Sequence, residues 1–277
     1  MLVTELTEFT TNLTREIGDR LKQDFGHVSG EEKSDGSLVT RADRWADDTI
    51  KAAIAKKFPQ HGILSEEGET ILAEEEFTWV IDPLDGTTNF ARGIPLWGIS
   101  IALLYRQQPV FGCVYLPPID RLFLGCHPGD SGLDLPTIAT ENDLPIAVSK
   151  ATADREALPQ ANRNQLFSLC ARSLKTWQPN FPCKIRMLGV ATYNFLCVAN
   201  GTMLGAVEAT PKIWDLAAVY PIIAAAGGHW HSLRTEATFP HLPARDYGSY
   251  PLPTLILNNP AAESLFLPYL SSLEING

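Results

Sequence analysis

The sequence has no C-x-x-C pair, no excess of basic residues and no uninterrupted apolar run approaching the roughly 18 residues of a membrane span. Its five cysteines, Cys113, Cys126, Cys170, Cys183 and Cys197, are odd in number and scattered, which reads as free thiols of a reducing compartment. The first residues, Met1-Leu2-Val3-Thr4-Glu5-Leu6-Thr7-Glu8, lack the basic stretch and apolar core of a secretory leader. A soluble, cytoplasmic protein without membrane contact is the expectation. Lysine and arginine total 22 against 32 aspartates and glutamates, a net charge of −10, which disfavours gripping a nucleic-acid backbone by counterion release. That charge is compatible with an anionic substrate, because an acidic site recruits divalent cations that invert the local field.

What is present is an ordinary globular balance, 45% hydrophobic and 19% charged over 277 residues. That length suits one large domain or two modest ones, with no need of disulfides to hold a core. Leu6, Phe9, Leu13, Ile17 and Leu21 recur at helical spacing and predict a helix over about 4–25; a second repeats the pattern from Ala46 to Phe58, ended by Pro59. Short apolar runs then predict strands at 62–65, 77–82, 98–105, 110–116 and 121–125, with Gln107-Gln108-Pro109 as a hairpin connection. The Gly-, Pro- and Asp-rich stretch 127–145 reads as a surface excursion or domain border, dividing the chain into halves 1–145 and 146–277. Beyond it the expectation is a strand at 146–148, helices near 160–172 and 191–199, a strand at 204–207, a helix from Asp215 to about Ala226, a strand at 254–257 and a final short helix. The stretch 229–251 gives no pattern. The alternation favours layered α/β packing.

The most informative segment is Trp79-Val80-Ile81-Asp82-Pro83-Leu84-Asp85-Gly86-Thr87-Thr88-Asn89-Phe90. A strand runs into two aspartates stiffened by Pro83, then a glycine and two hydroxyls, where a helix start would turn its positive end toward an anion. Read alone, the segment also fits an Asp-Pro turn that caps a helix. Two further acidic stations change the weighing. Ser65-Glu66-Glu67-Gly68 follows another apolar run, and Asp215 precedes an apolar helix, where it doubles as a helix cap. Three such stations supply hard oxygen ligands for several Mg²⁺ ions. The histidines offer no zinc pattern: His27, His61 and His127 are isolated, and His229 and His231 are only two apart. An aspartyl-phosphate mechanism needs Asp-x-Asp-Gly-Thr, whereas Asp82 and Asp85 stand three apart, so activated water is favoured over a protein nucleophile.

Together with Trp214-Asp215-Leu216-Ala217-Ala218 and Ala226-Gly227-Gly228, these motifs closely resemble the signatures of the inositol monophosphatase family, in order and spacing, from about residue 35 to 228. The resemblance implies a layered α-β-α-β-α sandwich, commonly a homodimer, and a lithium-sensitive phosphatase with two or three Mg²⁺ per subunit. It implies metal ligation by Glu66, Asp82, the Leu84 carbonyl, Asp85 and Asp215, and a phosphate cradle at Gly86, Thr87 and Thr88. Catalytic positions would be Glu66, Thr87 and Asp43; on local pattern alone Asp43 is a helix cap, and the resemblance makes it the partner of the Thr87 hydroxyl in orienting water. Substrate contacts would come from Gly189, Val190, Ala191, Glu208 and Asp215, with Val190 standing where the family usually carries a hydroxyl. The implied substrate is inositol 1-phosphate or a related sugar or polyol phosphate. Alternatives are histidinol phosphate, fructose 1,6-bisphosphate or phosphoadenosine phosphate, or a regulatory binding role.

Overall fold

The first helix, α1 (Val3–Asp24), buries Leu6, Leu13, Ile17 and Leu21 on one stripe. Thr10 and Thr14 share that face because each hydroxyl donates to the carbonyl four residues back, at 2.8 Å. After the two-stranded ribbon β1 (Glu31–Glu32) and β2 (Leu38–Val39), helix α2 (Arg41–Lys57) begins at a capping box: Thr40 Oγ1 accepts from Ala42 N, and Asp43 Oδ2 accepts from Thr40 N at 2.8 Å. We describe the chain in a computed structural model over residues 3–33, 36–148, 164–176, 180–234, 238–239 and 242–270.

Both helices cover one face of a sheet ordered β3 (Gly62–Ser65), β4 (Phe77–Asp85), β5 (Gly98–Tyr105), β6 (Gln108–Leu116), β7 (Arg121–Cys126), β8 (Ile138–Glu141) and β9 (Leu144–Pro145). Only β3 and β4 run parallel. The period of two sorts the side chains: Trp79, Ile81, Ile101 and Leu103 face α1 and α2, while Val80, Ala102, Leu104 and Val114 face the opposite layer. That layer holds α4 (Ala191–Ala199), α5 (Ile213–Leu216) and α6 (Val219–Ala226), and the short α3 (Thr87–Ala91) leads off the end of β4. A second sheet, ordered β11 (Lys184–Arg186), β10 (Leu166–Leu169), β12 (Gly205–Glu208), β14 (Thr254–Leu257) and β13 (His229–Ser232), covers the far side. Its inner residues Ala206 and Ile256 meet α4 and α6; Phe167, Val207, Leu255 and Leu257 meet the last helix, α7 (Glu263–Leu270). The result is an α-β-α-β-α sandwich.

Several elements differ from expectation. Residues 146–148 form no strand: Val148 N donates to Ala226 O, so the chain is tied to the end of α6. Within 160–172, residues 160–163 lie outside the described ones, and 166–169 are a strand buried between β11 and β12. A short apolar run such as Leu166-Phe167-Ser168-Leu169 fits either element until its neighbours are known. The expected surface excursion ends early, because Asn142 and Asp143, both at positive φ, turn the chain and let β8 and β9 extend the first sheet. The helix expected from Asp215 is two pieces, since Pro221 has no N–H to offer the Ala217 carbonyl. Asp215 lies inside the first piece.

The first sheet meets α6 at van der Waals closeness through Gly112 and Gly125: a Cβ added at Gly112 would lie 1.9 Å from Ala218 O, and one at Gly125 would lie 2.5 Å from Ile222 Cα. The obstacle in both cases is helix backbone. Gly112→Ala is therefore expected to cost at least about 1–3 kcal/mol, the usual range for overpacking. Urea denaturation checks this, with a lowered midpoint at unchanged slope expected; an unaltered midpoint would contradict the close approach.

Candidate functional site

The parallel pairing of β3 with β4 brings two strand ends to one place. Ser65 lies opposite Ile81 and Glu66 N donates to Ile81 O at 3.1 Å, which sets Glu66 beside Asp82. In a regular strand Asp82 and Asp85, three residues apart, would point to opposite faces. A register shift between them, at Pro83 and Leu84, resets the alternation, and both carboxylates converge. Asp215 joins them from α5, which packs on β4 and β5. One oxygen from each of Asp82, Asp85 and Asp215 lies within 4.8 Å of the others. Glu66 lies outside that trio; its Oε1 takes a hydrogen bond from Lys33 Nζ at 2.9 Å, and Lys33 also pairs with Glu67.

Each acid is oriented by protein donors. Leu84 N donates to Asp82 Oδ1 at 3.0 Å, and Lys212 N donates to Asp215 Oδ2 at 2.6 Å. Asp85 sits against the start of α4, where Ala191 N, Thr192 N and the Thr192 hydroxyl donate at 3.1, 2.7 and 2.6 Å. The positive end of that helix favours the ionised carboxylate. Thr192 escaped the sequence reading; a hydroxyl two residues into a helix is the signal that would have marked it.

Burial dominates the electrostatics. It raises Asp82 and Asp215 well above the usual carboxylate range, with the neighbouring acids adding to the shift, and it raises Asp85 against the pull of its donors. Glu66 is pushed to about 7 by burial, although Lys33 opposes the shift. Burial works against the charge on Lys33, yet Glu66 and Glu67 hold its ammonium above the ordinary lysine range. Crowded, buried, all-oxygen donors fit a hard divalent cation such as Mg²⁺, whose charge offsets their mutual repulsion.

The acids line a cavity of about 490 Å³, together with Gly86, Thr87, Thr88, Gly189, Val190, Ala191 and Glu208. Asp43 is not on its wall. It is 1% exposed and stands behind Thr87, whose Oγ1 lies 2.8 Å from Asp43 Oδ1 and 3.0 Å from Leu84 O. Asp43 is thus a helix cap through one oxygen and a partner of Thr87 through the other. Gly86 turns the chain between β4 and α3 at φ +90, and a Cβ there would lie 2.9 Å from Val190 Cγ2. Val190 is wholly buried and packs beneath this turn, so its side chain offers support and not a polar contact. Glu208 is held by Asn194 Nδ2 at 2.6 Å, and Asn194 in turn accepts from Ser168 Oγ at 2.6 Å. Burial pushes Glu208 to about 7. Asn194 and Ser168 had no sequence signal, since both act through a neighbour.

The family model described as the inositol monophosphatase family matches residues 2–264. The chain is 33% identical over 221 residues to the fructose-1,6-bisphosphatase/inositol-1-monophosphatase of Aquifex aeolicus, covering 76% of this chain and 79% of that protein. It is likewise 33% identical over 215 residues to the inositol-1-monophosphatase of Mesorhizobium japonicum, covering 76% and 79%. The solved Thermotoga maritima IMPase shares the fold with a TM-score of 0.78 at 23% identity, covering 97% of this chain and 98% of that one.

The raised carboxylates link stability to pH and to cation. A folded state that holds these protons more tightly than the unfolded chain loses stability as pH rises from the ordinary carboxylate range through about 7, the position of Glu66. In chelator, the thermal midpoint is expected to fall between about pH 5.5 and about pH 8, and millimolar Mg²⁺ should raise it more at the higher pH. A Mg²⁺-induced shift that is larger at the lower pH would contradict this reading of the acids.

Proposed function

The chain belongs to the inositol monophosphatase family, a family of metal-dependent phosphatases, and on that premise we propose that it hydrolyses a small phosphorylated polyol or sugar, inositol 1-phosphate foremost. The observation that carries the proposal is the convergence of Asp82, Asp85 and Asp215 within 4.8 Å beside a Thr87 hydroxyl engaged by Asp43. In this reading Glu66, Asp82, the Leu84 carbonyl, Asp85 and Asp215 hold two or three Mg²⁺. The ions supply water activation and charge neutralisation for phosphoryl transfer. The chain's own groups position the reactants. The Thr87 hydroxyl donates its hydrogen bond to Asp43 Oδ1 and keeps its proton, which leaves the Thr87 oxygen lone pairs to accept a hydrogen bond from the attacking water. The Gly86-Thr87-Thr88 turn receives the phosphate, and Gly189 and Ala191 line the same cavity. Positioning and charge stabilisation carry most of such a reaction, so no protein nucleophile is needed.

Lithium inhibition, a homodimeric assembly and a cytoplasmic setting belong to the same proposal and rest on family membership. Fructose 1,6-bisphosphate is a second substrate reading, favoured by the name of the Aquifex aeolicus relative.

Glu208 tests the substrate class. It lies on the cavity wall outside the acid trio, near enough to Asp85 and Asp215 to feel their charge, where a carboxylate accepts hydrogen bonds from a polyol. Losing one such charge-assisted bond costs about 1.5–3 kcal/mol, or roughly tenfold to a hundredfold in kcat/KM. Glu208→Gln is expected to lower hydrolysis of inositol or sugar phosphates by that factor while sparing p-nitrophenyl phosphate, which presents no hydroxyls there. Equal losses on both substrates would instead make Glu208 the anchor of Asn194, and no loss on either would remove it from recognition.

A further inference from the structure

A second set of metal-ligating side chains lies outside the carboxylate cavity. His229 and His231 are two apart on β13, and the period of a strand carries both imidazoles to one face. Trp230 between them packs the other way, against Phe195, Tyr220 and Phe239. Among the described residues β13 is an edge strand paired with β14, and the chain leaving β14 turns through Pro260–Ala262 to begin α7 with Glu263. That path sets the Glu263 carboxylate across both rings: Oε2 lies 2.5 Å from His229 Nε2 and Oε1 lies 3.2 Å from His231 Nδ1. One ligand atom from each residue lies within 4.8 Å of the others, and the three side chains are 30%, 29% and 29% exposed.

We propose that His229, His231 and Glu263 form a transition-metal site of the zinc class, with a further coordination position open to solvent. Tetrahedral bonds of about 2.0–2.1 Å place ligand atoms about 3.3–3.4 Å apart, a spacing that falls within the range the three residues already span, from 2.5 Å to at most 4.8 Å. Two imidazoles and one carboxylate are a donor set for Zn²⁺ or Cu²⁺, whereas the catalytic cavity offers oxygen alone and suits Mg²⁺. The site joins an edge strand of one sheet to the helix that covers that sheet. A bound ion therefore acts as a clasp between two layers, far in chemistry from the phosphatase centre.

The rival is a plain His–Glu ion pair. To separate them, chelator-stripped protein in saturating Mg²⁺ is titrated with Zn²⁺ by calorimetry at about pH 7.5, where free imidazole is mostly unprotonated. One equivalent of Cu²⁺ is then read by electron paramagnetic resonance. The expected result is a Zn²⁺ affinity that weakens by about tenfold or more in His229→Ala and in His231→Ala, while Asp85→Asn retains it. The Cu²⁺ spectrum should show coupling to two nitrogens in the wild type and lose it in the histidine variants, which still release phosphate with Mg²⁺. Glu263→Gln, which keeps the side-chain size, repeats the test if an alanine variant does not fold. Equal Zn²⁺ affinity in all proteins, or a Cu²⁺ spectrum without nitrogen coupling, would overturn the site and leave the ion pair.

Discussion

Taking several carboxylates out of water at one place sets the terms for the rest of the fold. Asp82 and Asp85 are buried and Asp215 is half-buried beside them, and burying even one unpaired charge costs several kcal/mol. No chain would place three such groups within 4.8 Å for stability's sake. The protein offsets part of the cost with fixed donors: the start of α4 for Asp85, Leu84 N for Asp82 and Lys212 N for Asp215. These bonds fix orientation and leave other carboxylate oxygens for a cation. Lys33 plays a related part at Glu66, supplying positive charge from the segment before β2.

The sandwich supplies the rigidity that this crowding requires. The acids come from four elements: Glu66 directly follows β3, Asp82 and Asp85 lie in the last part of β4, α5 carries Asp215, and the first turn of α2 carries Asp43. A shift of any layer would separate them. Gly112 and Gly125 let α6 lie directly on the first sheet, and α5, one residue pair upstream, is held at the end of β4 as a consequence. Stability in the core is in this sense used to hold an unstable charge arrangement in place.

How much of this was legible follows from how local each feature is. The run from Trp79 to Phe90 declared itself, because an apolar strand ending in Asp-Pro-Leu-Asp-Gly-Thr carries its turn chemistry and its ligands in one segment. Glu66 and Asp215 were legible as acids at the ends of apolar runs. The convergence itself was not, since it rests on a parallel pairing and a register shift that no local pattern encodes. Asp43 was read as a cap or as a partner of Thr87, and it is both, one oxygen to each. The segment that forms strand β10 reads equally as helix, because burial on both sides hides the period of two. His229 and His231 give no metal pattern because Glu263 lies 34 residues beyond His229 and meets them only when α7 folds back over the sheet.

The central claim is that the three converging carboxylates exist to bind the cation that phosphate release needs. It is tested most directly by stripping the wild type and Asp85→Asn with chelator and following phosphate release from inositol 1-phosphate as Mg²⁺ is returned. Asp85→Asn keeps the volume but removes the charge a hard cation requires. The expected result is no turnover in chelator, full recovery of the wild type with Mg²⁺, and a folded variant whose turnover stays lower by orders of magnitude at saturating Mg²⁺. Phosphate release that continues in chelator, or near-wild-type turnover in the folded variant, would contradict the claim.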